Sequence, residues 1–161
     1  MKKILLVLAA AVFTIDMYAQ TSDAEAQAIV NLLGVQKKEA IAKLVLITAK
    51  DSVAFWKLYD DYQKKNIQLA KSRFQLYEKT ALSYGNMHPH VADSLARKYF
   101  DNRLAQEKSL EEFYTKIKAA TNAVTAFEFY QAEVYILTQV RAHIMQQIPT
   151  YGEFMMATKK R

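Results

Sequence analysis

The sequence predicts an all-α protein: a long antiparallel helical hairpin or bundle of about four helices. Three observations carry that expectation. Only three Gly and two Pro punctuate 161 residues, so long stretches run without a backbone breaker. Tyr and Phe are plentiful, at 10 and 8, and they recur with other apolar residues at helical spacing. No stretch alternates apolar and polar residues as a half-buried strand would, and none repeats.

Each element has a start signal, an apolar stripe and a stop. Ser22-Asp23-Ala24-Glu25 reads as a helix start, with Ser22 capping and Glu25 reaching back. Ile29, Leu32 and Leu33 follow at helical spacing, and Gly34 bends or breaks the segment. Val35 to Leu46 resumes, with Ile41, Leu44 and Val45 on one side. Thr48-Ala49-Lys50-Asp51 is the next start, a hydroxyl with an acid behind it. The long helix beyond it is expected to reach about Tyr84. Its stripe of Phe55, Leu58, Tyr59, Tyr62, Leu69, Leu76 and Tyr77 recurs near heptad spacing, with Asn66 and Arg73 on the same side.

Gly85-Asn86 stops that helix, and His88-Pro89 starts another with Pro in its first turn. This helix, to about Lys118, is expected to bury Val91, Leu95, Tyr99, Leu110, Phe113 and Ile117, with Arg103 and Gln106 interrupting the stripe. Thr121 or Asn122 caps the next helix. Its apolar face is read as Val124, Phe127, Tyr130, Val134, Leu137, Ile144 and Ile148, flanked by Gln131, Thr138 and Arg141. Pro149 ends it, because the residue before proline disfavours helix. Tyr151 to Arg161 is expected as a loose, flexible tail. The polar residues within the stripes are either ordinary amphipathic edges or a buried layer that fixes helix register.

The chain divides into a signal peptide over 1–19, a helical domain over 20–150 and the tail over 151–161. Lys2 and Lys3 precede the apolar run Ile4 to Val12, and Met17-Tyr18-Ala19 ends on a small residue. That run is shorter than the ~20 residues a membrane-spanning helix needs, and no second one approaches that length. The expectation is a soluble periplasmic protein, not a lipoprotein. The chain has no Cys, which excludes disulfides, thiolate metal sites, thiol catalysis and a thiol-linked lipid anchor. The net charge of +6 is moderate and scattered. Export argues against nucleic acid as a partner, while a basic surface attracts acidic polypeptides.

No pattern for an enzyme is present. GxSxG, HExxH and phosphate-loop motifs do not occur. Asp60-Asp61 and Glu111-Glu112 are adjacent pairs, and neighbours on a helix diverge by about 100°. His88 and His90 flank Pro89, and His143, Met145, Met155 and Met156 are further donors; two loop histidines without a carboxylate cluster fall short of the set zinc needs, so no metal or cofactor is assigned. The candidate site is a client-binding surface. Trp56, Phe129, Tyr135 and Phe154 fall off the main stripes, and an exposed aromatic patch with basic residues at its rim suits weak polypeptide capture.

Phe55-Trp56-Lys57-Leu58-Tyr59-Asp60-Asp61-Tyr62 resembles a segment of the small periplasmic helical proteins grouped with Spy and CpxP, in the form common in Bacteroidetes. The order of a threonine-led turn at Thr48, this FWxLYxxY segment, Phe129-Tyr130-Gln131-Ala132-Glu133 and Ile148-Pro149 is similar as well. The likeness covers most of Val35 to Tyr151. It departs where Asp51 replaces a usual Gln and where Glu128 stands in place of a basic residue. The resemblance implies a helical fold, often dimeric, with a curved surface. It implies an envelope-stress role, as a chaperone working without nucleotide on unfolded or partner polypeptides. The alternative it implies is a sensor or regulator of a membrane signalling system, anti-sigma or two-component, or a metal-responsive sensor.

Overall fold

A computed structural model describes residues 36–159. The expected signal peptide and the expected helix from Ser22 lie outside the described residues. The chain is all-α, with no strand among the described residues. Residues 36–44 form α1, followed by α2 (Ser52–Leu82), a short 3-10 turn (Tyr84–Asn86), α3 (Pro89–Ala120), α4 (Ala123–Gln147) and α5 (Tyr151–Lys159). Helices α2 and α3 make the long hairpin. Helix α4 runs back along it from base to tip, and α1 packs across the base. No helix among the described residues is long and apolar enough to cross a membrane.

Local chemistry sets the boundaries. Thr48 Oγ1 accepts from the Asp51 amide at 3.3 Å and donates to the Asp51 carboxylate at 2.9 Å, so the turn before α2 is held by the pair the sequence marks. His88 is extended, and Pro89 follows in the first turn of α3. Asn122 caps α4 by accepting from Val124 and Thr125 at 2.9 and 3.0 Å. Ile148, before Pro149, is extended and ends α4. The segment expected as a loose tail is instead helical. Thr150 and Glu153 form a capping box: the Thr150 amide donates to the Glu153 carboxylate at 2.7 Å, and the Glu153 amide donates to Thr150 Oγ1 at 3.3 Å. Tyr84 anchors α5 at the hairpin tip. Its hydroxyl donates to the Pro149 carbonyl at 2.7 Å, and its ring lies 5.6 Å from Tyr151 and 5.5 Å from Phe154.

The core sits at the base, where α1, α2, α3 and α4 meet. Phe55, Tyr59, Tyr62, Phe113 and Phe129 pack there, with the Phe129 ring edge-on to Phe55, Tyr59 and Tyr62 at 5.3–6.3 Å. Ile41, Val45, Ile117 and Ile136 fill the space around them. Within this apolar volume lies the Glu133 carboxylate, with no exposed surface. Lys37 Nζ of α1 stands 2.8 Å from its Oε2, and the Tyr62 hydroxyl donates to the same oxygen at 2.7 Å. Lys37 also donates to Gln63 Oε1 at 2.9 Å and lies 5.0 Å above the Tyr62 ring. Burial, and then the charge of Glu133, push the Tyr59 and Tyr62 hydroxyls far above their ordinary range.

Toward the tip the core turns polar. Asn66 donates to Ser109 Oγ at 3.1 Å. Asn102 donates to the Leu69 carbonyl at 3.0 Å and accepts from Arg73 Nε at 2.7 Å. Arg73 lies over Tyr99, whose hydroxyl pairs with Thr80 at 2.9 Å. Arg141 of α4 donates to Gln106 at 3.1 Å. The polar positions on the α2 stripe are therefore bridges between helices, with Asn66 fully inside, while Arg103 faces solvent. The α4 face read from the sequence needs correction. Its buried residues are Thr125, Ala126, Phe129, Ala132, Glu133, Ile136 and Ile144, and Val124, Phe127, Tyr130 and Val134 point outward.

Phe55→Ala is expected to destabilise the protein by about 3–5 kcal/mol in denaturant unfolding, because the whole ring is buried. Gly85→Ala is expected to stabilise it by about 0.4–1 kcal/mol, since no described glycine takes a positive φ and a methyl group there meets nothing within 4 Å. Glu112 tests the α2–α3 fastening: bonds from Lys116 and then Lys65 hold its carboxyl at about 2. Because that value is depressed, the bridge is present above the ordinary Glu range and is lost only as pH falls through about 2. The Glu112 carboxyl carbon, followed by NMR, should titrate below the ordinary Glu range.

Candidate polypeptide-binding face

Helix α4 is apolar on two sides. One row, running through Ala126, Phe129, Ala132 and Ile136, faces the hairpin. The other, Val124, Phe127, Tyr130 and Val134, faces solvent. A helix that is apolar all round is ordinarily buried all round, and this one is not. Residues two apart on a helix differ by about 200°, so Phe127 and Phe129 cannot both point inward. Glu133 decides between them. Its carboxylate must reach Lys37 and Tyr62, and Phe129, one turn earlier on the same face, goes into the core with it. Small residues at Ala126 and Ala132 allow the close approach.

The outward row borders a shallow groove of about 530 Å³ between α3 and α4. Leu104, Leu110 and Tyr114 line it from α3, Phe127 and Tyr130 line it from α4, and Glu107, Lys108 and Glu111 edge it. Phe127 and Leu104 are 50% and 55% exposed, and Val124 beyond them is 67% exposed. The Phe127 and Tyr130 rings stack at 6.4 Å with 24° between their planes. Phe100 of α3 adds further exposed aromatic surface. Chemically the face offers apolar area with charges of both signs at its edge. Such a face suits contact with apolar side chains of another polypeptide.

The four residues expected to form a client surface lie in separate places. Phe129 is the correction among them: it is fully buried at the centre of the core and has no surface to offer. Trp56 is half-buried between α1 and α2, edge-on to Phe55 and Tyr59 at 5.1 and 5.6 Å, with Lys38 Nζ 5.4 Å from its ring. Tyr135 is 47% exposed on α4. Phe154 is half-buried against Tyr84 on α5. Sequence reasoning missed Leu104 and Tyr114 and assigned Phe127 and Tyr130 to the core. The available signal was the doubled apolar character of α4. His88 and His90 stack 5.9 Å apart on exposed positions, and no cluster of three or more metal-ligating side chains exists among the described residues.

No protein-family profile, no curated protein and no solved structure matches this chain.

Proposed function

We propose that this is an exported, periplasmic polypeptide-binding protein that holds non-native or partner chains without nucleotide, in the manner of an envelope-stress chaperone. The observation that carries the reading is the solvent-facing apolar row of α4 beside the α3–α4 groove. Exposed apolar patches of a few hundred Å² on otherwise folded proteins mark interaction surfaces. The aromatic side chains there give contact area at low cost in rotamer entropy and tolerate varied partners. The signal-like first nineteen residues and the Spy/CpxP-like segments support the same reading. The chain's net charge of +6 favours approach by acidic clients.

The test is suppression of light scattering by several unrelated aggregating clients. The unaltered protein is expected to delay aggregation at equimolar ratio. Phe127→Ser with Tyr130→Ser should weaken client binding by about tenfold, the loss of about 1.4 kcal/mol of contact. Stability should change by about 1 kcal/mol or less per site, because each ring is only about half covered. Unchanged capture by the double variant would remove this face from the reading. Failure to delay any client would leave the regulatory role in its place.

A further inference from the structure

Glu133 projects from α4 into a wall made by Phe55, Tyr59, Tyr62 and Phe129, and that wall belongs wholly to α2 and α4. The cation that meets it comes from α1. Lys37 Nζ reaches Glu133 Oε2 at 2.8 Å and Gln63 Oε1 at 2.9 Å, and it stands 5.0 Å over the Tyr62 ring. One turn on, Ala40 and Ile41 are buried in the same cleft, and Val45 closes it. An acid, an aromatic face and a slot for small and branched apolar side chains together form a socket for a cationic amphipathic helix.

Two features separate the socket from the helix that fills it. Among the described contacts, Lys37, Ala40 and Ile41 of α1 and Val45 and Ile47 just beyond it are set into the core, and at the outer side the segment is fastened by the Lys38–Asp60 pair and by the Leu46 amide on the Glu128 carboxylate, both exposed. A peripheral segment whose outer contacts are exposed is of the kind that opens as its own unit, below the free energy of global unfolding. The carboxylate also keeps acceptor capacity beyond the ammonium: Lys37 and the Tyr62 hydroxyl both meet Oε2, and the Tyr59 hydroxyl is the neighbour left for Oε1. An ammonium engages one carboxylate oxygen here, whereas a guanidinium spans both.

We propose that the cleft between α2 and α4 is a binding site for a lysine- or arginine-bearing amphipathic helix of a partner polypeptide, occupied in cis by α1. The partner helix presents its basic residue to Glu133 and, one turn on, a small and a branched apolar residue to the positions of Ala40 and Ile41. This site is distinct from the α3–α4 face and does not rest on it. It selects a sequence pattern, where the outer face takes apolar chains broadly.

Trp56 is the only tryptophan, and it lies beneath Lys38, so its emission reads α1 docking. In the unaltered full chain, amides of 36–45 should exchange about 100-fold faster than those of 110–117. Equal protection would mean that α1 opens only with the whole domain and would overturn the proposal. In full-length Lys37→Glu, like charges at the socket should expel α1 and shift Trp56 emission to the red. A synthetic peptide of residues 36–47 should restore the emission. Its Lys37→Met version should bind about tenfold more weakly and its Lys37→Arg version at least as tightly. Loss of cooperative unfolding in Lys37→Glu, a peptide without effect, equal binding by the Met peptide, or a self-paired chain indifferent to peptide would each overturn it.

Discussion

A carboxylate withdrawn entirely from water must be met by a cation and by hydrogen-bond donors, and the helices are arranged so that Glu133 finds both. Meeting it fixes the rotation of α4 about its own axis. It fixes the position of α1, which has to bring Lys37 across the base, and it orients Tyr62, whose hydroxyl completes the contact. Phe129 shares the face of Glu133 and becomes the ring on which the α2 aromatics converge. The outward apolar row of α4 is the other half of the same choice. Once Glu133 and Phe129 face inward, Phe127 and Tyr130 have no place except the surface.

Beyond the aromatic base, the hairpin is held differently. Asn66 with Ser109, and Asn102 with Arg73 and the Leu69 carbonyl, are directional contacts that tolerate little sliding. Shifting α2 against α3 by one turn, about 5.4 Å, would break all of them together and leave the buried Asn102 amide without its partners, while Asn66 would keep only the Tyr62 carbonyl of its own helix. An apolar seam of the same length would penalise such a shift far less. The polar layer therefore sets register, while the aromatic base supplies most of the buried area.

The α2 stripe was legible in the sequence because its inward positions carry Phe55, Tyr59 and Tyr62, large residues at unambiguous spacing, and because Asn66 falls in line with them. Asn102 and Ser109 were not legible, since a short polar residue looks the same on a wet face as in a paired bridge. Helix α4 was misread for a related reason. Its inner row mixes Thr125, Ala126, Ala132 and Glu133 with Phe129, and bulk alone points to the outer row. Only the partner at Glu133 decides, and that partner lies on α1, far away in the chain. The α5 helix was a plainer omission: Thr150-Tyr151-Gly152-Glu153 carries the same capping pattern as Ser22-Asp23-Ala24-Glu25. The candidate surface was only partly legible, because Trp56, Phe129, Tyr135 and Phe154 share aromatic chemistry but not a location.

The spacing of the bridges along the hairpin also sets an order of assembly. At the tip, Thr80 and Tyr99 join residues 19 apart in the chain; Arg73 and Asn102 close 29, Asn66 and Ser109 close 43, and Lys65 and Glu112 close 47. Tyr62 reaches Glu133 across 71 residues, and Leu46 reaches Glu128 across 82. Each bridge shortens the loop that the next must close, so the hairpin can zip from tip to base at small entropic increments. The aromatic base joins only when α4 returns, whereas α1 meets α2 across short spans: Lys38 and Asp60 close 22 residues, and Lys37 and Gln63 close 26. The countercharge therefore stands in place on α2 before α4 delivers the carboxylate that it neutralises.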